Sequence, residues 1–432
     1  QKLFSGAQAR PPTGTATEIH IMKIFVDALS RIPTVSIGTQ ALIIGCLQIL
    51  HRRFPDAGFV LLSGRPAQER HYLDALGLDV EIVPRAASQW AALRQLRDIL
   101  RRVDAVASAW GDGYVGQPAW RLLKKARFLK RRGVPLVLVT ASLGPFRPGW
   151  DTWCARRGLG LFDALTVRDL NSLRHVQGLG LRNAQGLPDT AFVLDPAPDE
   201  AVDALLRREG IPTDVPWVGI NASILLHHRF PALHGRPYAE TMAELVAHVR
   251  RTTQRPVLLI PHQIYPADFD GLTPDIQRSF DGDDRAAADL VLQALPQREG
   301  VFALRGEYSP AEYKGVLKRC ETFIGGRMHA VIGAVSAGVP SGIMRYSHKA
   351  AGTMETLQLL DYVWDCRAPA TELLRVASRL WSDRAAIRAR LAATMPGIVA
   401  QAWQIGDVLA AALPRESKKD RRSGAGPGGA GL

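Results

Sequence analysis

The chain has 432 residues, with 54 lysines and arginines against 41 aspartates and glutamates, a formal net charge of +13. Its 47% hydrophobic and 22% charged residues are those of a globular protein, long enough for two domains of about 150–200 residues each. No run approaches the roughly 18 apolar residues that span a bilayer, and no nucleic-acid motif or aromatic interleaving accompanies the basic residues, so nucleic acid is not an expected partner. An anionic membrane face or a small phosphorylated substrate suits the charge better.

Residues 1–21 carry Gly, Pro and Thr and read as an extension without a fold; they lack the continuous apolar core of a secretory signal. Ile24–Ala28 is a first strand. A helix across Gln40–Phe54, a strand at Phe59–Ser63, a helix near Ala67–Leu76 and a strand at Val80–Pro84 follow. Next come a helix at Gln89–Arg102, a strand at Ala105–Ala109, a basic helix at Pro118–Arg132, and strands at Leu136–Ala141 and Ala164–Val167. Such alternation predicts a parallel sheet with helices on both faces.

The rhythm breaks at Asp195–Pro198, and a helix at Asp199–Glu209 leads to Pro212 and Pro216. The boundary is placed here, giving an N-terminal domain over 22–197 and a C-terminal domain over 198–413. Strands restart at Val218–Asn221, Val257–Ile260, Val301–Ala303, Thr322–Ile324 and Gly342–Met344. Residues 414–432, basic and then Gly-rich, are expected to be disordered. The fold class is α/β: two doubly wound Rossmann-like domains in a glycosyltransferase-B-like arrangement, with ligands in the cleft beyond the strand ends. Cys46, Cys154, Cys320 and Cys366 are far apart and form no C-x-x-C pair. They read as buried free thiols of a reducing, cytoplasmic compartment.

The stretch Thr322–Glu355 carries the chemistry. A strand ends in the Gly325-Gly326 turn, and Arg327, Met328 and His329 open a helix, whose free N–H groups and dipole make an anion site. The following strand ends at Tyr346, and Lys349 stands at the equivalent helix start. If the two strands are adjacent and parallel, Arg327, His329 and Lys349 converge on one edge. Taken singly, two solvated cations and a helix-start cap would also account for these residues.

Gly326-Arg327-Met328-His329, Gly338-Val339-Pro340 and Tyr346-Ser347-His348-Lys349 together resemble the C-terminal signature of the polysaccharide pyruvyl transferase family, with Met in place of its Leu. Ala141–Phe146 is similar to the family's Ser-x-Gly-Pro loop, and Val167-Arg168-Asp169 with Ser172 to its Val-Arg-Asp/Glu-x-x-Ser. Pro188–Phe192 is similar to its Asp-x-Ala-Phe element, Gly219–Ser223 to the start of its second domain, and Gly111–Gly113 stands where it has a Gly-rich loop. The resemblance covers roughly Lys23–Leu413. The family's Asn-x-Gly-Asp first loop reads Ser36-Ile37-Gly38-Thr39-Gln40 here, without its acidic residue.

The resemblance implies transfer of a pyruvyl group from phosphoenolpyruvate to a hexose of an exopolysaccharide, cell-wall polymer or glycolipid, as a ketal, with release of phosphate. Phosphoenolpyruvate would be a co-substrate, with no separate cofactor and no metal. Arg327, Lys349 and Arg168, with the Gly325-Gly326 turn, would hold the anionic donor, and His329 would move the proton. Asp112, Asn221 and Ser223 lie at strand ends and are candidates for a saccharide or lipid-linked saccharide acceptor, with turn-forming or capping as an equal reading. A lipid-linked acceptor would add peripheral contact with the inner face of the membrane. His227, His228 and His262 lack carboxylate partners at ligand spacing and read as surface or cleft-rim residues. Trp110, Trp120, Trp150 and Trp153 read as core, or as part of an acceptor surface. Two alternatives stay open: a nucleotide-sugar glycosyltransferase, in which Glu355 would hold a ribose, and a non-catalytic binding protein on the same fold.

Overall fold

A computed structural model describes residues 21–28, 36–64, 66–74, 77–230, 232–233, 235–265, 282–346 and 349–414, with backbone alone at 68 and 349–351. The expectations for 1–21 and 414–432 fall outside these residues except at their inner ends.

In the first half, strands β1 (Lys23–Ala28), β2 (Gly58–Ser63), β3 (Val80–Pro84), β4 (Ala105–Ala109), β5 (Leu136–Ala141), β6 (Ala164–Val167) and β7 (Ala184–Gly186) alternate with helices. The helices are α1 (Ile37–Arg53), α2 (Pro66–Asp74), α3 (Gln89–Ile99), α4 (Ala119–Lys130), α5 (Trp150–Leu159) and α6 (Leu170–Gly178). The sheet order is β3-β2-β1-β4-β5-β6-β7, all parallel. β4 and β5 are apolar at almost every position because helices cover both their faces, and all their residues are buried. Polar residues mark the helix starts: Ser36, Ser88 and Asp169 accept N–H groups from the first turns of α1, α3 and α6.

A 3₁₀ turn (Thr190–Val193) and α7 (Asp199–Arg208) lead to the second half. Its strands are β8 (Trp217–Asn221), a short hairpin β9 (Ala232–Leu233) and β10 (Arg236–Pro237), β11 (Val257–Leu259), β12 (Val301–Ala303), β13 (Cys320–Gly325), β14 (Ser341–Arg345) and β15 (Val363–Asp365). Its helices are α8 (Ile224–Arg229), α9 (Tyr238–Thr253), α10 (Asp284–Ala294), α11 (Pro310–Lys318), α12 (Met328–Ser336), α13 (Lys349–Thr356), α14 (Ala370–Ser382), α15 (Arg384–Trp403) and α16 (Ile405–Ala412). The main sheet, β12-β11-β8-β13-β14-β15, is again all parallel. The doubly wound α/β reading therefore holds in both halves.

The last helices depart from the sequence-based division. Ala402, Ile405, Val408 and Leu409 lie in the core of the first half, with Ile49 and Leu50 of α1. α16 thus packs on the first domain, although the division at 198–413 places it with the second. An apolar helix docks wherever a matching face is open, and local sequence does not say where that is. All four cysteines are buried free thiols, as expected. Among the described residues no helix is long and apolar enough to cross a membrane.

Candidate active site

The carboxyl ends of the two sheets face each other across a cavity of about 140 Å³. The first half contributes Ser36 and Thr39 from the start of α1, and Trp110 and Asp112 from the loop after β4. The second half contributes His262 after β11, Arg327, Met328 and His329 after β13, and Tyr346 after β14. The halves are stitched beside it, where the Ile37 N–H donates to the His262 carbonyl at 3.2 Å.

His329 sits on the first turn of α12 with Nε2 3.4 Å from Asp189 Oδ2 and 3.1 Å from Arg168 Nη1. Asp189 stands at the entry to the 3₁₀ turn, where its Oδ1 accepts the Ala191 N–H at 2.9 Å. Its Oδ2 accepts from Arg168 Nη1 at 2.6 Å. Burial pushes the Asp189 carboxyl upward, but Arg168 and His329 outweigh it and hold the group well below the usual carboxylate range. Nε2 therefore faces the Asp189 carboxylate and the Arg168 guanidinium, while Nδ1 lies on the Gly38 side of the ring. Gly38 of α1 creates the room: a Cβ there would lie 2.3 Å from His329 Cβ and 2.8 Å from its Nδ1. The altered first loop thus serves the site through its glycine, a contact that no local pattern reveals.

Arg168 is buried, and its guanidinium also donates to Ser142 Oγ at 2.9 Å and to Asp112. Burial disfavours its charge, but Asp112 and Asp189 more than compensate, so its pKa is raised. Ser142 passes its own hydrogen to Asp169, which caps α6 by accepting the Ser172 N–H at 2.8 Å. The two loops singled out in the sequence, around Ser142 and Arg168, thus form one network under the cavity. Arg168 stands among carboxylates rather than on the cavity wall, and Asp112, half exposed, stands at its edge.

Arg327 is anchored to the fully buried Asp284, with Nη2 2.9 Å from Oδ1 and Nε 3.3 Å from Oδ2. Asp284, missed in the sequence, also accepts the N–H groups of Ile224, His262 and Gln263. A carboxylate in the acidic run Asp281–Asp284 gave no local sign of this role. The start of α12 carries no side-chain cap, which leaves its first turn to a ligand.

Three expectations need correction. Asn221 and Ser223 are fully buried. The Asn221 amide donates to the Ile260 carbonyl and to Asp284, and Ser223 packs under the Gly326 turn, so neither reaches the cavity in this arrangement. The Gly326 N–H is spent on the Asn221 carbonyl at 3.2 Å. A Cβ on Gly326 would lie 2.8 Å from Ser223 Cβ, and one on Gly325 would lie 2.7 Å from the Phe323 ring, so these glycines serve close packing. The condition set for Lys349 is met at the backbone, since β13 and β14 are adjacent and parallel. Its side chain lies outside the described residues, as do Ser347 and His348.

His262 is not a rim residue. It is only 5% exposed, lines the cavity, and neither ring nitrogen has a hydrogen-bond partner. Its backbone is fixed at both ends by Asp284 and Ile37, so the ring is held in place with its polar atoms unserved. Burial, then the charges of His329 and Arg327, lower its pKa well below the usual imidazole value. Trp110 is also placed by its neighbours: Tyr114 stacks on it at 5.0 Å and Lys125 Nζ lies 3.0 Å from its ring centroid. Among the described residues no cluster of three metal-ligating side chains occurs.

A UDP-GlcNAc 2-epimerase from Neisseria meningitidis, bound to UDP-GlcNAc, superposes with a TM-score of 0.56 at 12% identity, over 90% of this chain and 100% of its own. HepE from Anabaena, in complex with UDP, gives the same TM-score, identity and coverage. At such identities these neighbours show the two-domain, glycosyltransferase-B-like fold alone. The amylovoran biosynthesis protein AmsJ of Erwinia amylovora is 24% identical over 293 residues, 64% of this chain. The match spans 65% of that relative, just under two thirds of its length. A family model described as polysaccharide pyruvyl transferase matches residues 37–348, from the Gly38 loop through His329 to the end of β14 and just beyond, and the chain therefore belongs to the polysaccharide pyruvyl transferase family.

Proposed function

We propose that this protein transfers the pyruvyl group of phosphoenolpyruvate to two hydroxyls of a hexose in a polysaccharide, cell-wall polymer or glycolipid. The observation that carries this reading is the cavity in which Arg327, His329 and the open start of α12 meet, with His329 backed by Asp189 from the other half. Arg327, held by Asp284, and the first turn of α12 suit the carboxylate and phosphate of the donor. Lys349, starting the next helix on the same edge, is assigned to the donor too.

The protonated His329 gives a proton from Nδ1 to the methylene carbon of the enol, and the neighbouring carbon becomes an oxocarbenium centre. A sugar hydroxyl oxygen bonds to that carbon and loses its proton to a ring nitrogen of His262, which burial keeps neutral and makes a weak base that passes the proton on to solvent. The carbon–oxygen bond to phosphate then breaks with its electron pair. The second hydroxyl closes the ketal and its proton leaves with the phosphate. Solvent exchange returns the His262 proton and reloads His329. In sum, two hydroxyl protons become one methyl hydrogen and the hydrogen of hydrogen phosphate. Asp189 steadies the imidazolium in the first step, and Arg168 fixes Asp189.

In the glycosyltransferase reading, Glu355 would hold a ribose. Here it faces Arg174 of the first half at 3.9 Å, away from the cavity wall. Calorimetric titration with phosphoenolpyruvate and with UDP-glucose separates the two readings. Saturable binding of the first and not the second is expected; the reverse result removes the pyruvyl-transfer reading.

A further inference from the structure

Large apolar side chains are exposed together at one end of the first half. Trp120 lies on the first turn of α4, and Trp150 and Trp153 on that of α5; they are 45%, 67% and 41% exposed. The Asp151 carboxylate accepts the Ala119 N–H at 2.6 Å and so ties these two helix starts together. Trp120, beside Ala119, and Trp150, beside Asp151, therefore share one surface. Trp150 and Trp153 stack at 4.8 Å and 13°. Arg121 lies over Trp120 at 5.5 Å and Arg157 over Trp153 at 5.6 Å. Trp90, 84% exposed, and Leu93 open α3, which begins at the same edge of the parallel sheet. The cavity opens at that edge too, since Trp110 and Asp112 precede α4.

The exposed charge beside these side chains is mainly basic, and the Asp151 carboxylate among them is occupied by the Ala119 and Arg147 N–H groups. Arg121, Lys124, Arg147 and Arg157 are exposed there, whereas Lys125 and Lys130 pair with Asp27 and Asp163 and the remaining cations of α4 lie toward its far end. Indole rings prefer the interface between headgroups and acyl chains, and arginines there meet lipid phosphates. A saccharide could stack on the tryptophans, but a neutral hexose polymer gives the cations no counterpart. A bilayer surface answers both features.

We propose that the amino ends of α3, α4 and α5 form a docking face for an anionic lipid bilayer, with Trp120, Trp150 and Trp153 at headgroup depth and Arg121, Lys124 and Arg157 against the phosphates. The same orientation turns the cleft edge toward the membrane, where a lipid-carried acceptor is presented. Only that last consequence rests on the proposed function. Docking itself is read without donor or acceptor, so its failure and the failure of pyruvyl transfer are separate results.

The test is co-sedimentation of the full chain with vesicles of phosphatidylglycerol and phosphatidylcholine, and with vesicles of phosphatidylcholine alone. Binding to the anionic vesicles, weakened by salt, is expected. It should fall at least about tenfold in the triple variant Trp120→Ala/Trp150→Ala/Trp153→Ala, and again in Arg121→Glu/Lys124→Glu/Arg157→Glu, with melting curves unchanged because all six side chains are exposed. Absence of binding to anionic vesicles, or wild-type binding by both variants, overturns the proposal. So does binding of a soluble glucan or galactan, without lipid, that the tryptophan variant loses; that outcome makes the face a saccharide platform.

Discussion

The Nε2 of His329 lies 3.4 Å from the Oδ2 of Asp189, although the two residues belong to opposite halves of the molecule. Closing the halves on each other therefore completes the proton-handling group. Asp189→Asn keeps the shape but removes the charge that steadies an imidazolium. It is expected to lower kcat about 10²- to 10³-fold with a small change in the KM for phosphoenolpyruvate. It also strips buried Arg168 of a partner, at about 3 kcal/mol of stability. The Asp189 carboxyl is depressed by folding, so its contribution is present above the unfolded carboxylate value and lost as pH falls below about 4. The wild-type melting temperature should fall more steeply there than that of Asp189→Asn. Steady-state kinetics and melts between pH 3 and 7 check both parts.

Gly38 touches the other side of the same imidazole. The Cβ of Gly38→Ala would lie 2.3 Å from His329 Cβ, closer than atoms can approach, so the ring or α1 must move. Misplacement by about 1 Å costs on the order of 10²-fold in rate. The double variant Gly38→Ala/His329→Gly should be no slower than His329→Gly alone, because glycine at 329 removes both the imidazole and the Cβ that Gly38→Ala would strike. Additive losses would show that Gly38 acts elsewhere.

His262 gives a prediction with two opposite signs. His262→Leu removes a buried imidazole with two unpaired nitrogens and should raise the melting temperature by about 2–4 °C. The same change should lower acceptor-dependent turnover about 10²-fold while donor affinity stays within about twofold. Unchanged turnover would remove His262 from the reaction, and lost donor affinity would move it to the donor side.

Lys314 of α11 is buried and donates to the Leu194 carbonyl in the connection between the halves. Burial lowers its pKa to about 8 from the ordinary 10.5. The folded state therefore releases this proton before the unfolded state does, and stability gains as pH rises from about 8 to 10.5, by at most about 1.4 kcal/mol per pH unit. Denaturant unfolding of wild type and Lys314→Met across that range isolates the effect. The stability difference between the two should shift in favour of wild type as pH rises.

Period and spacing made the alternating strands, the helix start at Arg327 and the pairing of the β13 and β14 loops legible in the sequence. These features are local, or need only the rule that neighbouring parallel strands end on one edge. What was not legible depends on contacts between distant segments. Asp284 anchors Arg327 from the start of α10, Gly38 faces His329 across the cleft, and α16 returns to the first core. Asn221 and Ser223 stood at a strand end, as site residues do, but the Gly326 turn closes over them. His262 carried no motif; its significance lies in being buried without a partner.

The central claim is that His329 protonates phosphoenolpyruvate in a ketal-forming transfer. The most direct measurement is mass spectrometry of a methyl galactoside, a methyl glucoside and an N-acetylmannosaminide after incubation with phosphoenolpyruvate, with released phosphate measured alongside, for wild type and His329→Ala. One acceptor is predicted to gain a pyruvate ketal in step with phosphate release, and both signals should fall at least about 10²-fold in the variant while phosphoenolpyruvate still binds. Ketal formation by His329→Ala at the wild-type rate would contradict the account.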